Sequence, residues 1–340
     1  MSQKRFRVAI ALNKKMAYSV LDQKDYEFLK SFAEVNPIED LPDEMTLPFM
    51  ETILKDADAC ITCWGTPSLT EELINSVPNL KLMAHAAGSI KHMVPSNFWD
   101  SGRRLTSNAP VIAEDVAQTV LSYILFVMKG ALVLSQSTRA GEWSGGEASL
   151  FVTRRLDGLN VGVVGASNVG RETIKILKPF NCNISLYDPL VSDIEVDELG
   201  VCRKADLNTL IAESDVLTLH APPLESCRHM INKDNAHLIK DGAFFINTAR
   251  GMLVDEAALL KELETGRFFA CLDVTDPEPP AIDHPFRKLQ NVMLLPHVAG
   301  GHTVNGRKML GRTSIREIYT YLHRGYLRHE VRPQMLDFMA

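Results

Sequence analysis

The sequence predicts an α/β protein of two domains, each built on a doubly wound parallel sheet. Three observations carry this prediction. Residues 161–177, VGVVGASNVGRETIKIL, read as a buried strand, a tight glycine turn and an amphipathic helix. Downstream, strand-length apolar runs near Val161, Ile184, Val216, Ala243, Ala270 and Val292 alternate with helical patterns, which makes six mostly parallel strands. Upstream, residues 1–108 hold a strand and helix alternation of their own, so a separate α/β domain precedes.

In the first domain, residues 6–12 read as a strand and residues 25–32 as a helix with apolar side chains at helical spacing. A proline-marked loop, 36–48, leads through a short helix to a strand at 59–63. Beyond it, Ser68 with Glu71 resembles a capping box. The strand 80–84 runs into His85, Ala86, Ala87, Gly88 and Ser89, a turn of small residues able to present backbone amides to an anion. His85 is read as a strand-end residue. Residues 113–134 are expected to be one long helix crossing to the second domain, followed by a polar, glycine-bearing stretch at 135–148. The last helix, 303–323, returns toward the first domain.

A chain of 340 residues can bury two substantial cores. Its 46% apolar and 23% charged content is ordinary for a soluble globular protein, and the net charge of −6 gives no electrostatic case for nucleic acid or an anionic membrane. Arg103 with Arg104 and Arg154 with Arg155 are read as basic pairs on solvated loops. The N-terminal MSQKRFRVAIAL reads as a charged lead-in to a strand, not a signal peptide. The apolar segment 116–134 is interrupted by Gln118, Ser122 and Lys129, so it is read as a buried helix rather than a membrane span. Six cysteines set mostly in apolar runs point to a reducing compartment, and a cytoplasmic location is expected. Cys60 and Cys63 form a C-x-x-C, but on a strand they would face opposite ways, which favours packing. No His/Cys/Asp cluster has ligand spacing, so no metal site is expected.

The glycine turn carries the first chemistry. Gly165, Ala166, Ser167, Asn168, Val169 and Gly170 match a dinucleotide-binding fingerprint except that serine holds the middle position. Gly165 permits the turn, and Gly170 lets the helix lie close to the strand. Amides at the helix N-terminus would stabilise a pyrophosphate, while Ser167 adds bulk and a hydroxyl donor. A second apolar run ends in Asp188, where a carboxylate should accept hydrogen bonds from an adenosine ribose diol. A 2′-phosphate would meet like charge there, so the expected cofactor is NAD rather than NADP.

Three further stretches lie at predicted strand ends of the second domain, where such sheets bind ligands. They are NTARG ending in Arg250 and Gly251, LDVTDPEPP with Asp273 and Glu278, and LPHVAG with His297 and Gly300. Asp255 is read as the cap of the helix after the first. Together with the glycine turn, these motifs resemble the signature regions of the D-isomer-specific 2-hydroxyacid dehydrogenases, and the likeness extends over most of the chain. The resemblance implies Rossmann-like and flavodoxin-like doubly wound domains with an active-site cleft between them that closes by a hinge. It divides the chain into a discontinuous substrate domain, 1–108 plus 300–340, and an NAD-binding domain, 109–299. It further implies hydride transfer between NAD and a D-2-hydroxy acid or its 2-oxo acid.

By the same resemblance, His297 is the general acid and base, Glu278 orients it, and Arg250 binds the substrate carboxylate and polarises the carbonyl. His220, Ala221, Pro222, Thr248 and Ala249 would contact the cofactor together with Gly165, Ser167, Asn168, Val169, Gly170, Asp188 and Gly300. Asp273 would hold the nicotinamide carboxamide. Ala87, Gly88 and Ser89 would receive the substrate carboxylate, and Trp64 either narrows the substrate pocket or packs in the first domain. The sequence departs from the family pattern at Ser167, at the AAGS loop with Lys91 nearby, and at Gln118 in the linking helix. Relatives are commonly dimers through the cofactor domain, so a homodimer involving the 113–134 helix is expected. Glyoxylate or hydroxypyruvate reduction and 3-phosphoglycerate oxidation are the alternative specific activities. An NAD(H)-sensing, corepressor-like binding protein is the alternative of another class.

Overall fold

The computed structural model describes residues 5–91, 93–143 and 153–339. The chain forms two compact units, Met1–Ile112 with Gly301–Ala340, and Ala113–Gly300. In chain order the first strands are β1 (Phe6–Ile10), β2 (Ala33–Val35), β3 (Ala59–Thr62), β4 (Leu82–His85) and β5 (Arg104–Ser107). The second unit adds β6 (Asn160–Val164), β7 (Asn183–Tyr187), β8 (Cys202–Arg203), β9 (Val216–Leu219), β10 (Phe244–Asn247), β11 (Phe269–Leu272) and β12 (Val292–Leu294). β13 (Glu330–Val331) returns to the first unit.

The first sheet runs β13-β5-β4-β3-β1-β2. Its first five strands pair in parallel, in the flavodoxin-like order 2-1-3-4-5, and β13 joins antiparallel at one edge. The second sheet is parallel throughout and runs β12-β11-β10-β9-β6-β7-β8. That is the Rossmann order 3-2-1-4-5-6 with one more strand. Both units are therefore doubly wound, as the alternation of strand and helix predicts. Every residue of β3, β4, β9 and β10 is buried, which is why these strands read as continuous apolar runs rather than alternating ones.

Helix starts follow local chemistry. Asn13, Asp22, Thr70, Ser167, Ser192, Asp206, Asp255 and Thr303 each accept an amide hydrogen bond from the first turn of the following helix. Asp255 is thus the expected cap. The expected capping box at Ser68 is not formed, because Thr70, two residues on, receives the Leu73 amide at 3.2 Å. The long helix also differs from expectation. It spans Ala109–Met128, and a separate helix covers Ala131–Arg139. Gly130 between them takes φ +61°, a left-handed value that ends the first helix. The first of these helices is long and apolar enough to cross a membrane, and it buries Ala113, Val116, Ala117, Val120, Ile124, Val127 and Met128. Part of the polar stretch expected after it, residues 144–148, lies outside the described residues.

Arg103 and Arg104 do not lie on a solvated loop. Arg103 is buried and donates to the carbonyls of Ile74 and Val77, while Arg104 is in β5 and pairs with Glu330 of β13. Arg154 sits beside Asp215 at 3.7 Å. All six cysteines are free. Cys60 and Cys63 are buried, and burial pushes both thiols up to about 12, so they pack as small apolar groups.

The first unit closes its core with the returning helix Val304–Arg324, which contributes Leu310, Ile315 and Ile318. Gly311 makes the approach possible, since a Cβ there would lie 2.1 Å from the Val20 carbonyl oxygen. Asn108 ties the same helix down by donating to Leu310 O at 2.8 Å and Ser314 Oγ at 3.0 Å. In the second unit, Phe245, Phe268 and Phe286 fill the layer between sheet and helices.

Candidate active site

Because the second sheet is wholly parallel, the C-terminal ends of its strands share one edge, and residues following them are gathered there. Asp188 follows β7, Gly165 follows β6, His220 follows β9, Thr248 to Arg250 follow β10, Asp273 follows β11, and His297 lies three residues beyond β12. Strand order reverses beside β6, where the chain leaves in both directions along the sheet. Gly165 sits at that switch point with φ +96°. A Cβ on it would lie 2.6 Å from Ala221 N, so the turn leaves no space for a side chain. Gly170 is equally constrained, with a Cβ there falling 2.0 Å from Gly165 O.

Ser167 at the middle position has φ −62° and ψ 175°, an ordinary extended conformation that serine adopts freely. Its oxygen accepts the Gly170 amide at 3.4 Å and caps the helix Asn168–Leu177. The departure from glycine therefore becomes a helix cap with its hydroxyl proton still available. Asn168 is exposed at the first helical position and Val169 is half-buried beside it. Asp188 accepts the Ala166 amide at 2.7 Å and the Leu190 amide at 2.8 Å, so its carboxylate is pinned to the glycine turn.

These residues fit a dinucleotide. The turn is stripped of side-chain bulk, a helix N-terminus faces it, and an acid stands at its flank. Two buried polar atoms, His220 Nδ1 and Thr248 Oγ1, have no hydrogen-bond partner within the protein. Each orphaned group costs about 1–3 kcal/mol when unpaired, so a ligand that supplies partners is favoured. Ala221 is buried and Pro222 half-buried beside His220, and Ala249 is half-buried after Thr248.

Further along the edge three ionisable side chains converge. His297 Nδ1 lies 2.7 Å from Glu278 Oε1. Glu278 is also close enough to Arg250 to support its charge, against the burial that pulls the guanidinium below its ordinary range. Among the described residues nothing else bonds the His297 ring, so Nε2 is the nitrogen left for exchange with a substrate. The His297 backbone is held in the left-handed region at φ +55°, a conformation worth about 1–3 kcal/mol of strain for a residue with a Cβ.

Asp273 is what imposes that turn. Its carbonyl accepts the His297 amide at 2.8 Å, and its two carboxylate oxygens accept the amides of Val298 at 2.8 Å and Ala299 at 2.9 Å. Sequence reasoning missed this anchoring. It also missed Asn247, which is 1% exposed, donates to Arg250 O at 2.9 Å and accepts the Ala249 amide at 3.1 Å. The available signal was an asparagine closing an apolar run, the usual composition of a tight turn. Gly300 ends this unit.

Apart from Arg250, the expected substrate residues belong to the first unit and are described within it. Ala87 is buried, Gly88 half-buried and Ser89 exposed. The Ala87 carbonyl accepts the Asn108 amide at 2.9 Å and the Gly88 carbonyl accepts the Ser107 hydroxyl at 2.5 Å, so this turn has its carbonyls tied inward. His85 is the last residue of β4 and buried, with Nδ1 2.9 Å from Thr62 Oγ1. Trp64 keeps 38% exposure and lies on Gly301, where a Cβ would come within 2.5 Å of the indole.

Burial lowers His85 to about 4, against a small opposing effect of the Ser89 backbone, and lowers His220 to about 3. Both imidazoles are thus neutral in the folded chain and would be protonated in the unfolded chain below about pH 6.5. The unfolded state then binds more protons, so their contribution is full above about pH 6.5 and is lost as pH falls toward the folded values. We expect stability to drop by on the order of 3 kcal/mol for His85 alone between about pH 6.5 and 4. Denaturant melts at stepped pH check this; His85→Gln should flatten the dependence.

The family model for the D-isomer specific 2-hydroxyacid dehydrogenase NAD binding domain matches residues 121–299. The chain belongs to the D-isomer-specific 2-hydroxyacid dehydrogenases. It is accordingly an NAD-dependent oxidoreductase acting on CH–OH groups. A glyoxylate reductase of Thermofilum pendens is 31% identical over 272 residues, covering 79% of each chain. A hydroxypyruvate reductase of Thermotoga maritima is 28% identical over 306 residues, covering 89% of this chain and 97% of its own. The crystal structure of a phosphoglycerate oxidoreductase from Rhizobium etli superposes with a TM-score of 0.81 at 22% identity, covering 96% of this dehydrogenase and 98% of that chain. That last likeness is one of fold. Among the described residues, no group of three or more His, Cys, Asp or Glu could hold a metal ion.

Proposed function

We propose that this dehydrogenase interconverts a short D-2-hydroxy acid and its 2-oxo acid, with glyoxylate or hydroxypyruvate as the preferred oxo acid. The observation that carries the chemistry is the His297 and Glu278 contact of 2.7 Å with Arg250 beside it. Support for a short substrate comes from the two relatives of that specificity.

In the direction of reduction, Arg250 clamps the substrate carboxylate and polarises the carbonyl at C2. His297 Nε2 delivers a proton to the carbonyl oxygen, and Glu278, 2.7 Å from Nδ1, fixes the plane of the ring. Reduced NAD, when bound, supplies the hydride to C2. Gly165, Ser167 and the amides of Asn168 and Val169 would hold its pyrophosphate, with Gly170 giving the close approach behind them, and Asp188 its adenosine ribose. His220, Ala221, Pro222, Thr248, Ala249 and Gly300 would line the remainder, with Asp273 at the carboxamide. Ala87, Gly88 and Ser89 would offer amides to the substrate anion.

We further propose a homodimer through the helices Ala109–Met128 and Ala131–Arg139, whose Phe126 and Val133 are at least 40% exposed. A cytoplasmic location is proposed on the six unpaired cysteines.

The deciding experiment follows NADH absorbance with glyoxylate, hydroxypyruvate and 3-phosphohydroxypyruvate. We expect turnover with the first two. A preference for 3-phosphohydroxypyruvate would replace this reading with the phosphoglycerate one. Tight NADH binding without any turnover would favour the sensor. The same assay with NADPH should give a kcat/KM lower by about tenfold or more, since Asp188 would face the 2′-phosphate. Equal efficiency would remove Asp188 from that role.

A further inference from the structure

Glu256 begins the helix after the Asp255 cap, and it reaches across to a different strand end. Its Oε1 accepts the Asp276 amide at 2.9 Å, two residues before Glu278. Its Oε2 lies 3.4 Å from His284 Nε2. The tautomer of His284 follows from its other nitrogen. Nδ1 accepts the Phe286 amide at 3.3 Å, so the ring proton is on Nε2 and points at Glu256. The carboxylate is therefore a double acceptor, with its side chain only 16% exposed.

The loop it grips also touches the Arg250 turn directly. A Cβ on Gly251 would lie 2.1 Å from Thr275 C and 2.6 Å from Asp276 N, so the two backbones are in bare contact. One segment thus carries Arg250, Gly251 and Glu256, and it meets the loop of Glu278 twice, both times at the peptide between Thr275 and Asp276. Thr275 Oγ1 donates to Pro277 O at 2.9 Å, which stiffens the link from that peptide to Glu278.

We propose that Glu256 is a positioning residue of the reaction, whose carboxylate locks the Glu278 loop onto the Arg250 turn and so sets the contact between Glu278 and His297. This rests on the roles proposed above for Arg250, Glu278 and His297. Burial raises the Glu256 carboxyl, while the Asp276 amide and His284 favour its charged form. The ionisable groups around the clasp are His284, Asp276 and, paired with Asp276, Arg228; those around the catalytic pair are Arg250 and Asp273.

The test compares Glu256→Ala, Glu256→Asp and Glu256→Gln with Glu278→Gln, measuring kcat, KM for the 2-oxo acid and NADH binding by fluorescence. A displaced Glu278 no longer holds the His297 ring in the orientation that proton transfer needs, whereas Arg250 and the glycine turn keep their binding roles. For Glu256→Ala we expect kcat to fall about tenfold to a hundredfold while KM and NADH affinity each stay within about threefold. Glu256→Asp keeps the charge but is one methylene too short, so it should behave like alanine and serves if alanine fails to fold. Glu256→Gln can still accept the Asp276 amide but sets its own NH2 against the His284 Nε2–H, so its kcat should lie between those of the parent and the alanine variant. A kcat within about threefold of the parent in the Ala and Asp variants, or a loss shared equally by NADH affinity, alongside a lowered kcat in Glu278→Gln, overturns the role of Glu256 alone. A parental kcat in Glu278→Gln overturns the catalytic reading on which it rests.

Discussion

Replacing His297 by Asn is expected to reduce the rate of 2-oxo acid reduction by about a thousandfold while NADH binding stays within a few-fold. Asparagine is the informative choice because position 297 sits at φ +55°, a region asparagine tolerates better than alanine. The Asp273 anchor then keeps its three amide partners, and the loop survives. What is lost is a proton donor whose Nδ1 is fixed by Glu278 and whose Nε2 faces outward. Steady-state absorbance gives the rate, and fluorescence titration gives the cofactor affinity. A rate within tenfold of the parent would take the proton transfer away from His297.

Arg250 should be nearly as sensitive. Arg250→Ala removes the carboxylate clamp and the charge beside the developing alkoxide, and a fall in kcat/KM of about a thousandfold or more is expected. Arg250→Lys should recover only a small part, because a point ammonium cannot bind a carboxylate through two parallel donors. The turn itself should endure both changes. Asn247 holds it through the main-chain oxygen of residue 250 and the amide of Ala249, neither of which the substitution touches. An unchanged KM with a modest fall in kcat would assign substrate binding to another cation.

How much of this was legible in the sequence depends on the range of the interaction. The glycine turn, the apolar strands on either side and the cap at Asp255 are local, and their signals are local too. β5 was missed because three of the four residues in RLTS are polar, and its partner β13 because two residues carry no periodicity. The helix break at Gly130 was hidden because an apolar run, ALVL, resumes directly after it. Thr70 displaced Ser68 as a cap because both stand before the same apolar residues and only backbone geometry chooses between them. The catalytic trio was nameable only through the resemblance, since Arg250, Glu278 and His297 come from three different strand ends. Glu256 gave no signal, because its role exists only where two loops distant in the chain touch.

Both sheets finish at each side in strands of two or three residues: β13 and β2 in one, β12 and β8 in the other. A rim so brief gives a neighbouring molecule almost no unsatisfied amide and carbonyl ladder to copy. Self-association by strand addition, the route to fibrils and tangled aggregates, has little foothold here.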